Sequence, residues 1–389
     1  MLPSRNTPTH EILGDDTQLS SKLLGVVNPK IDLAPHPSNS AGDSFYIVSY
    51  LRAKDKDGKD AGNFTVLFDL LALSSLPISL LGVSVLDENS GTYYPFNEIT
   101  YGRKIDNSSL KDGRLDIKII DSNGSEANGR LSGTLETGLT VTGHFLSSNG
   151  GKDLCFKFTM NACGPMLNYL GEGVIPFANG IDYEFALPSM MTTNGSLTLE
   201  GKTYTVEGDS WLDRQWGYLG DAQWTWMCID LDNGVRMAVW DQASLDPSSN
   251  DPNQPCQSFA TILDNNDHLI ATTAEIKGNT VGKYPGSWTV TIPGYADKLI
   301  VTRMGAGPDN YQELGPNGIL RMEARCSVGG RYNETDVKGK AFVEVGRLDL
   351  QALATLLNPT LPAQAAVAQK GTNPELDAQP NGSAPGPPK

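Results

Sequence analysis

The sequence predicts an all-β protein made of two tandem domains. Three observations carry that reading. Helical periodicity is rare along the 389 residues, while short alternating runs recur, punctuated by Gly, Asn, Asp and Pro, as in sandwiches and barrels. The length exceeds what one compact core usually organises. The hydrophobic content of 39% is enough to fill packed cores.

The strands can be read in order. Phe45 to Leu51 is an early strand and Asn63 to Leu73 a buried one. Val83 to Leu86 leads into the turn Asp87-Glu88-Asn89-Ser90-Gly91. Leu115, Ile117 and Ile119 share one face, with Asp116 and Lys118 opposite. Leu139 to Phe145 and Leu154 to Met160 follow the same pattern. Ser196 to Glu200, Gly201-Lys202 and Thr203 to Glu207 read as a tight hairpin. The second half supplies Trp224 to Leu231, Val235 to Trp240, Ser258 to Leu263, Trp288 to Ile292, Lys298 to Thr302, Leu320 to Ser327 and Ala341 to Val345. Leu348 to Leu357 is the best helix candidate, stopped by Pro359. The expected division is an N-terminal extension over 1–34, a β-domain over 35–207, a second over 208–371, and a tail over 372–389. The tail is rich in Pro and Gly and is expected to be disordered.

Composition narrows the function. The net charge is −15 and the basic residues are scattered, which argues against nucleic acid and against an anionic membrane surface. Five cysteines, none in a CxxC pair, and four dispersed histidines give no support for a disulfide scaffold or a metal site. No run has the length of a membrane span, and the N-terminus lacks a signal-peptide core. The expectation is an intracellular, cytoplasmic protein. The scattered glycosylation sequons read as chance.

Five of the six tryptophans fall between positions 211 and 240, so something local requires them. Taking Asn233-Gly234 as a two-residue type I′ loop puts Asp232 opposite Val235, Cys228 opposite Val239 and Trp226 opposite Asp241. One face then carries Trp224, Trp226, Cys228, Asp230, Met237, Val239 and Asp241, and Trp240 points the other way. Two indoles beside two carboxylates suggest a lined cavity, because a buried carboxylate is costly unless paired. The alternative is an Asp at a strand edge that reaches solvent. Upstream, Trp211-Leu212-Asp213-Arg214-Gln215-Trp216-Gly217 places an Asp-Arg dipeptide between two indoles. It reads first as a structural salt bridge and second as a site wall.

The run SWLDRQWG resembles the signature W-x-D-(H/R)-(E/Q)-W-G of the lipocalin-like hydroxyneurosporene-synthase superfamily. The Arg214-Gln215 version is most similar to its fungal branch of intramolecular Diels–Alderases. The resemblance extends over roughly positions 35 to 350. It implies two lipocalin-like β-sandwich or β-barrel domains with a pocket at or near their interface. It departs from the family in the early strand, where relatives carry W-(W/E)-F-D and this chain reads Asp43-Ser44-Phe45-Tyr46-Ile47-Val48.

The resemblance implies a pericyclase that closes a decalin from a linear polyene, expected to be a polyenoyl tetramic acid. No cofactor and no metal are expected, and the partner is a small apolar polyene with a polar head. Holding one reactive conformer supplies much of the acceleration. The expected catalytic residues are Asp230, Asp241, Arg347 and Tyr183: the two acids orient the polar head or a water, and Arg347 offers a cation. Trp224, Trp226, Asp87 and Asn89 are the expected substrate-binding residues. Two alternatives remain open. One is a hydratase of an isoprenoid or prenyl alkene, with Asp230 or Asp241 as acid. The other is a non-catalytic carrier of an apolar ligand.

Overall fold

A computed structural model describes residues 27–36, 42–73, 78–101, 104–106, 114–120, 126–145, 153–177, 180–218, 221–245, 258–281, 284–305, 310–314 and 319–356. Residues 1–26 of the expected extension over 1–34, and the tail over 372–389, lie outside the described residues.

The short helix α1 (Pro29–Asp32) precedes thirteen strands: β1 (Gly42–Lys54), β2 (Asp60–Leu73), β3 (Ile78–Asp87), β4 (Thr92–Tyr101), β5 (Lys104–Asp106), β6 (Leu115–Ile120), β7 (Glu126–Thr134), β8 (Gly138–Phe145), β9 (Leu154–Ala162), β10 (Leu167–Asn168), β11 (Val174–Phe177), β12 (Gly180–Leu199) and β13 (Lys202–Gly217). They form one sheet in the order β4-β3-β2-β1-β13-β12-β9-β8-β7-β6-β5, with β10 and β11 added on β12. The sheet curls on itself: a Cβ at Gly129 of β7 would run into Phe68 of β2 and Leu81 of β3. Its inside is filled by alternate residues such as Phe45, Ile47, Phe68, Phe156, Phe185 and Leu212.

The second sheet comprises β14 (Ala222–Leu231), β15 (Arg236–Ser244), β16 (Ser258–Leu263), β17 (Leu269–Thr273), β18 (Glu275–Val281), β19 (Tyr284–Ile292), β20 (Ala296–Arg303), β21 (Asn310–Leu314), β22 (Ile319–Tyr332) and β23 (Thr335–Leu348). Its order is β17-β16-β15-β14-β23-β22-β20-β19-β18, with β21 on β22. β18 returns against β15 and β16, so this sheet also encloses a core, including Met227, Ile229, Val239, Trp288 and Val343. The change of sheet falls between Gly217 and Ala222, beyond the Gly208 expected from sequence, because β13 runs unbroken through Gly208. Helix α2 (Leu350–Leu356) follows, capped by Asp349, whose Oδ1 accepts the Ala352 N–H at 2.8 Å. The hairpin between β12 and β13 turns on Glu200 and Gly201, both at positive φ, one residue earlier than expected.

The central strands of the two sheets pack back to back. Tyr46, Val48 and Trp211 of the first meet Trp226, Cys228, Trp240 and Phe342 of the second in an apolar layer distinct from either core. The parts of β1, β13, β14 and β23 that lie in this layer are therefore covered on both faces, which explains why neither face of β14 is wholly polar. A smaller cluster of Leu73, Ile78 and Leu80 with Ile319, Leu348 and Leu353 closes one flank.

Candidate functional site

The β14–β15 hairpin determines which side chains enter the layer between the sheets. Its loop has three residues, Asp232-Asn233-Gly234, rather than two. The Leu231 N–H bonds Val235 O at 2.9 Å, and the Gly234 N–H bonds Leu231 O at 3.0 Å. Gly234 sits at φ +89°, where a side chain is strained. Asp232 is drawn toward the neighbouring strand, exchanging hydrogen bonds with the Lys338 backbone. The register moves by one residue, so that Trp226 pairs with Trp240 and Thr225 with Asp241. A one-residue shift exchanges the faces of the whole second strand. Trp224, Trp226 and Trp240 thereby share one face, and Asp241 is turned to the other.

That face roofs a narrow cavity with an open mouth. On the second sheet its walls are the three indoles, with Arg321, Glu344, Ile319 and Leu348. On the first they are Ser44, Tyr46, Asp69, Leu71, Glu184, Asp213 and Gln215. The absence of a Cβ at Gly346 lets the Trp224 ring lie across β23, since a Cβ there would approach the indole to 2.3 Å. Trp224 Nε1 donates to Glu344 Oε1 at 3.0 Å.

The SWLDRQWG run divides by alternation. Its odd residues Trp211, Asp213 and Gln215 face the inter-sheet layer, and its even residues Leu212, Arg214 and Trp216 face the first sheet's own core. Asp213 and Arg214 therefore form no salt bridge with each other. Buried Arg214 pairs with Asp43 at 2.6 Å and donates to the carbonyls of Leu33, Ala34, Ser44 and Gln215, fastening the segment after α1. Asp43, in the early strand that departs from the family pattern, thus serves as the counter-ion of the motif arginine.

Three buried carboxyl groups line up across β12 and β13: Asp182, Glu184 and Asp213. Asp213 Oδ2 receives the Tyr169 hydroxyl at 2.6 Å and the Trp211 indole N–H at 3.0 Å. The Tyr169 oxygen in turn accepts from Trp226 Nε1 at 3.0 Å. Tyr169 is delivered by a 3-10 turn (Tyr169–Gly171), in which Leu170 adopts a positive φ of 51° and bonds Thr261 of β16. Burial raises all three acids. Glu184 is pushed well above its ordinary value by desolvation and then by the charge of Asp213. Desolvation also raises Asp213, but its donors restrain it to about 6. Burial lifts Asp182 well above normal, opposed by the Gln215 amide at 3.2 Å. Glu184 and Asp213 hydrogen-bond each other. Otherwise Glu184 Oε2 and Asp213 Oδ1 have no partner. The pair therefore holds a shared proton, with Glu184 the protonated member and Asp213 the carboxylate.

Across the cavity, Arg321 sits between carboxylates of both sheets. Arg321 donates to Asp69 at 2.5 Å, Glu323 at 2.8 Å and Glu344 at 3.2 Å. Asp69 projects from β2 of the first sheet, so this cluster bridges the two domains. Burial raises the Asp69 carboxyl against the pull of Arg321.

Of the residues expected from sequence, Trp224 and Trp226 line the cavity. Trp240, assigned away from the site, lines it too. Asp241 faces the opposite way and bonds Ser258. Asp230 keeps the predicted face but stands three rungs along it, beside Lys340 at 3.3 Å and Arg236 at 3.8 Å. Arg347 alternates with Gly346 and Leu348, so it leaves the cavity and approaches Asp349 at 3.5 Å. Tyr183 lies on the core side of β12, stacked on Trp216 with centroids 5.4 Å apart. Asp87 closes its own turn by accepting from the Asn89 backbone and from Ser90, and exposed Asn89 bonds Ala61 O. Neither reaches the cavity.

The sequence reading missed Glu184, Asp69 and Arg321, and read Asp213 first as structural. A signal existed for two of them. Ile181-Asp182-Tyr183-Glu184-Phe185 alternates acid and apolar residues along a strand, and Asp69 interrupts the apolar run Val66 to Leu73. A carboxylate on a strand covered on both faces must meet a partner or a cavity.

The fold is similar to that of known proteins. Kievitone hydratase of Fusarium solani subsp. phaseoli is 25% identical over 333 residues, covering 81% of this chain and 85% of that protein. Dehydratase asqC of Emericella nidulans is 25% identical over 210 residues, covering 50% of this chain and 58% of that protein. The crystal structure of kievitone hydratase from Nectria haematococca superposes with a TM-score of 0.62 at 18% identity, covering 90% of this chain and 97% of that one. An AttH protein from Nitrosomonas europaea gives 0.59 at 17%, covering 82% and 96%. The sequence profile of the AttH-like family matches residues 151–346, a little over half of the chain. The lipocalin-like, two-sheet architecture and this match together place the chain in that family: it belongs to the AttH-like proteins.

Proposed function

We propose that the chain is an acid–base hydro-lyase of secondary metabolism. It adds water to, or removes it from, an alkene carried on an apolar, isoprenoid-like molecule. The observation that carries this is the Glu184–Asp213 pair, a protonated carboxyl touching a carboxylate at the wall of a tryptophan-lined cavity. The hydratase and dehydratase relatives support the same reaction class.

The steps balance within the pair. Glu184 gives its proton to one alkene carbon, and the π electrons form that C–H bond. The more substituted carbon is left cationic beside the Asp213 carboxylate. A water oxygen bonds to that carbon and Asp213 takes the proton that the water loses. That proton then passes to Glu184 through their mutual hydrogen bond. Dehydration runs the same steps backwards. Positioned acid–base groups of this kind contribute roughly 10²- to 10⁴-fold. Tyr169 and Trp211 hold Asp213 in the ionised role, and Trp226 orients Tyr169.

Incubation with prenylated phenols in ¹⁸O-labelled water tests the reading. The expected product gains one labelled water, and Glu184→Gln removes the gain. If no prenyl alkene is hydrated and no corresponding tertiary alcohol is dehydrated, the reading fails.

A stereoselective intramolecular Diels–Alder closure of a linear polyene is the second reading, favoured by the wall formed by Trp224, Trp226 and Trp240. Its product has unchanged mass. Ring closure needs no proton transfer, so it leaves the acid pair without a task, and hydro-lyase chemistry is the better account.

A further inference from the structure

The charges around the cavity are unbalanced, and the imbalance has a direction. On the first sheet's wall, Glu184 and Asp213 have no cation among their described partners, and neither has Asp182 next to them on β12. The neighbouring guanidinium of Arg214 points to the opposite face, where Asp43 takes it. Across the cavity, Arg321 is shared between Glu344 of its own sheet and Asp69 of the first. Two further groups at the cavity, Tyr46 Oη and Trp240 Nε1, are buried without a hydrogen-bond partner, and both residues are only 5% exposed. The remaining lining is aromatic: Trp224, Trp226 and Trp240, with the Tyr46 ring edge-on to Trp226 at 5.3 Å.

A carboxylate without a cation beside several aromatic faces is the chemistry that recognises an organic cation. The carboxylate supplies charge in a poorly solvated space, and the ring faces supply the negative side of their quadrupoles. We propose that this cavity is a cation-selective site, whose tight ligand class is lipophilic amines in their ammonium form, and which rejects carboxylates of the same chain length. This rests on the cavity being the substrate site and deepens the hydro-lyase reading, because the cationic carbon formed by protonation has the same charge in the same place. An ammonium analogue is then a transition-state mimic and binds more tightly than the neutral substrate.

The carboxylate that faces the ligand is Asp213. Glu184 and Asp182 flank it on β12, Tyr46 on β1, and Tyr169 on the turn. Across the cavity stand Arg321 and Glu344, and Cys228 lies beyond the Trp226 ring.

The test uses the full chain and three probes with one hydrocarbon tail: farnesyl dimethylamine, farnesol and farnesoic acid, titrated against tryptophan fluorescence at pH 7.5. The amine is expected to bind at least tenfold tighter than the alcohol, with the acid weakest. Asp213→Asn should reduce the amine's advantage over farnesol to within threefold. The wild-type protein gives an independent reading should that variant not fold. Lowering the pH from 7.5 to 5 protonates Asp213, not the amine, and should weaken the amine alone. An amine that binds no tighter than farnesol, or farnesoic acid that binds as well as the amine, overturns the proposal. Failure to hydrate alkenes with amine selectivity intact would instead reject the reaction and leave the cation site standing.

Discussion

The Tyr169 hydroxyl donates to Asp213 Oδ2 across 2.6 Å while its oxygen accepts the Trp226 indole N–H at 3.0 Å. This relay joins the 3-10 turn to β13 and β14, and it crosses from one sheet to the other. Burial pushes the Tyr169 hydroxyl well above its ordinary pKa, with the Asp213 charge as the next cause, so it stays a donor. Asp213 is thereby kept a carboxylate next to a carboxyl group that shares its space. Two acids in one cavity take different roles because only one of them has these donors.

Replacing Tyr169 with Phe tests the relay. The ring still fills its place, but Asp213 loses a donor and the Trp226 N–H loses its acceptor. Unsatisfied buried groups cost about 1–3 kcal/mol each, so the Tm should fall measurably. The more specific expectation is kinetic. With less stabilisation of its carboxylate, Asp213 should titrate higher, and the acid limb of the pH–rate profile should move upward from about 6. A lower rate with an unmoved limb would mean that Tyr169 only packs.

The buried acids also fix the sign of stability against pH. Asp69, Asp182, Glu184 and Asp213 all have folded values above their unfolded ones. Between those values the folded chain keeps protons that the unfolded chain has lost, so stability falls as pH rises through the window. For Asp213 the window runs from 3.8 to about 6, on the order of 3 kcal/mol at 1.4 kcal/mol per pH unit. Thermal melts should show a higher Tm near pH 5 than near pH 8. Glu184→Gln should flatten the slope and raise the Tm at pH 8 while abolishing turnover. A Tm that rises from pH 5 to pH 8 contradicts the assignment.

How much of this was legible in the sequence depends on what covers each strand. Alternation found most strands, because side chains of period two persist whatever the tertiary context. The tryptophan density drew attention to Trp224 and Trp226, and both line the cavity. The error at Asp241 came from one glycine: Asn233-Gly234 reads equally well as a two-residue loop or as the end of a three-residue loop, and the Asp232 contacts with Lys338 on β23 choose between them. No local pattern contains that choice. Glu184 and Asp69 were hidden differently. Each stands on a strand covered on both sides, and only the partner sheet shows that the second cover is a cavity wall. Arg321 has no local signature, since its three carboxylates come from β2, β22 and β23.

Asp241 and Asp213 make a direct contrast. Asp241 bonds Ser258 on the face away from the cavity, so Asp241→Asn should change kcat/KM less than about twofold. Asp213→Asn removes the base, and a loss of roughly 10²- to 10⁴-fold is expected for a group of that role. Steady-state rates on one hydrated substrate decide the matter. Equal losses in both variants would restore the two-residue loop register and its Trp226–Asp241 pairing.

Arg321 is the point where the two sheets are joined by charge. Its guanidinium reaches Asp69 from β2 as well as Glu323 and Glu344 from its own sheet. Arg321→Met removes the cation that these carboxylates share and leaves Asp69 and Glu344 facing each other across the joint. Breaking a buried pair in this way costs about 3–5 kcal/mol, and urea melts should show it as a lower midpoint. The loss comes from uncompensated charge rather than from lost contacts. Adding Asp69→Asn and Glu344→Gln to Arg321→Met should therefore recover much of the midpoint, and lowering the pH to 5 should help the single variant more than the wild type. If neither the added neutralisation nor the acid restores stability, Arg321 holds the sheets together by packing, and the charge cluster is incidental to the joint.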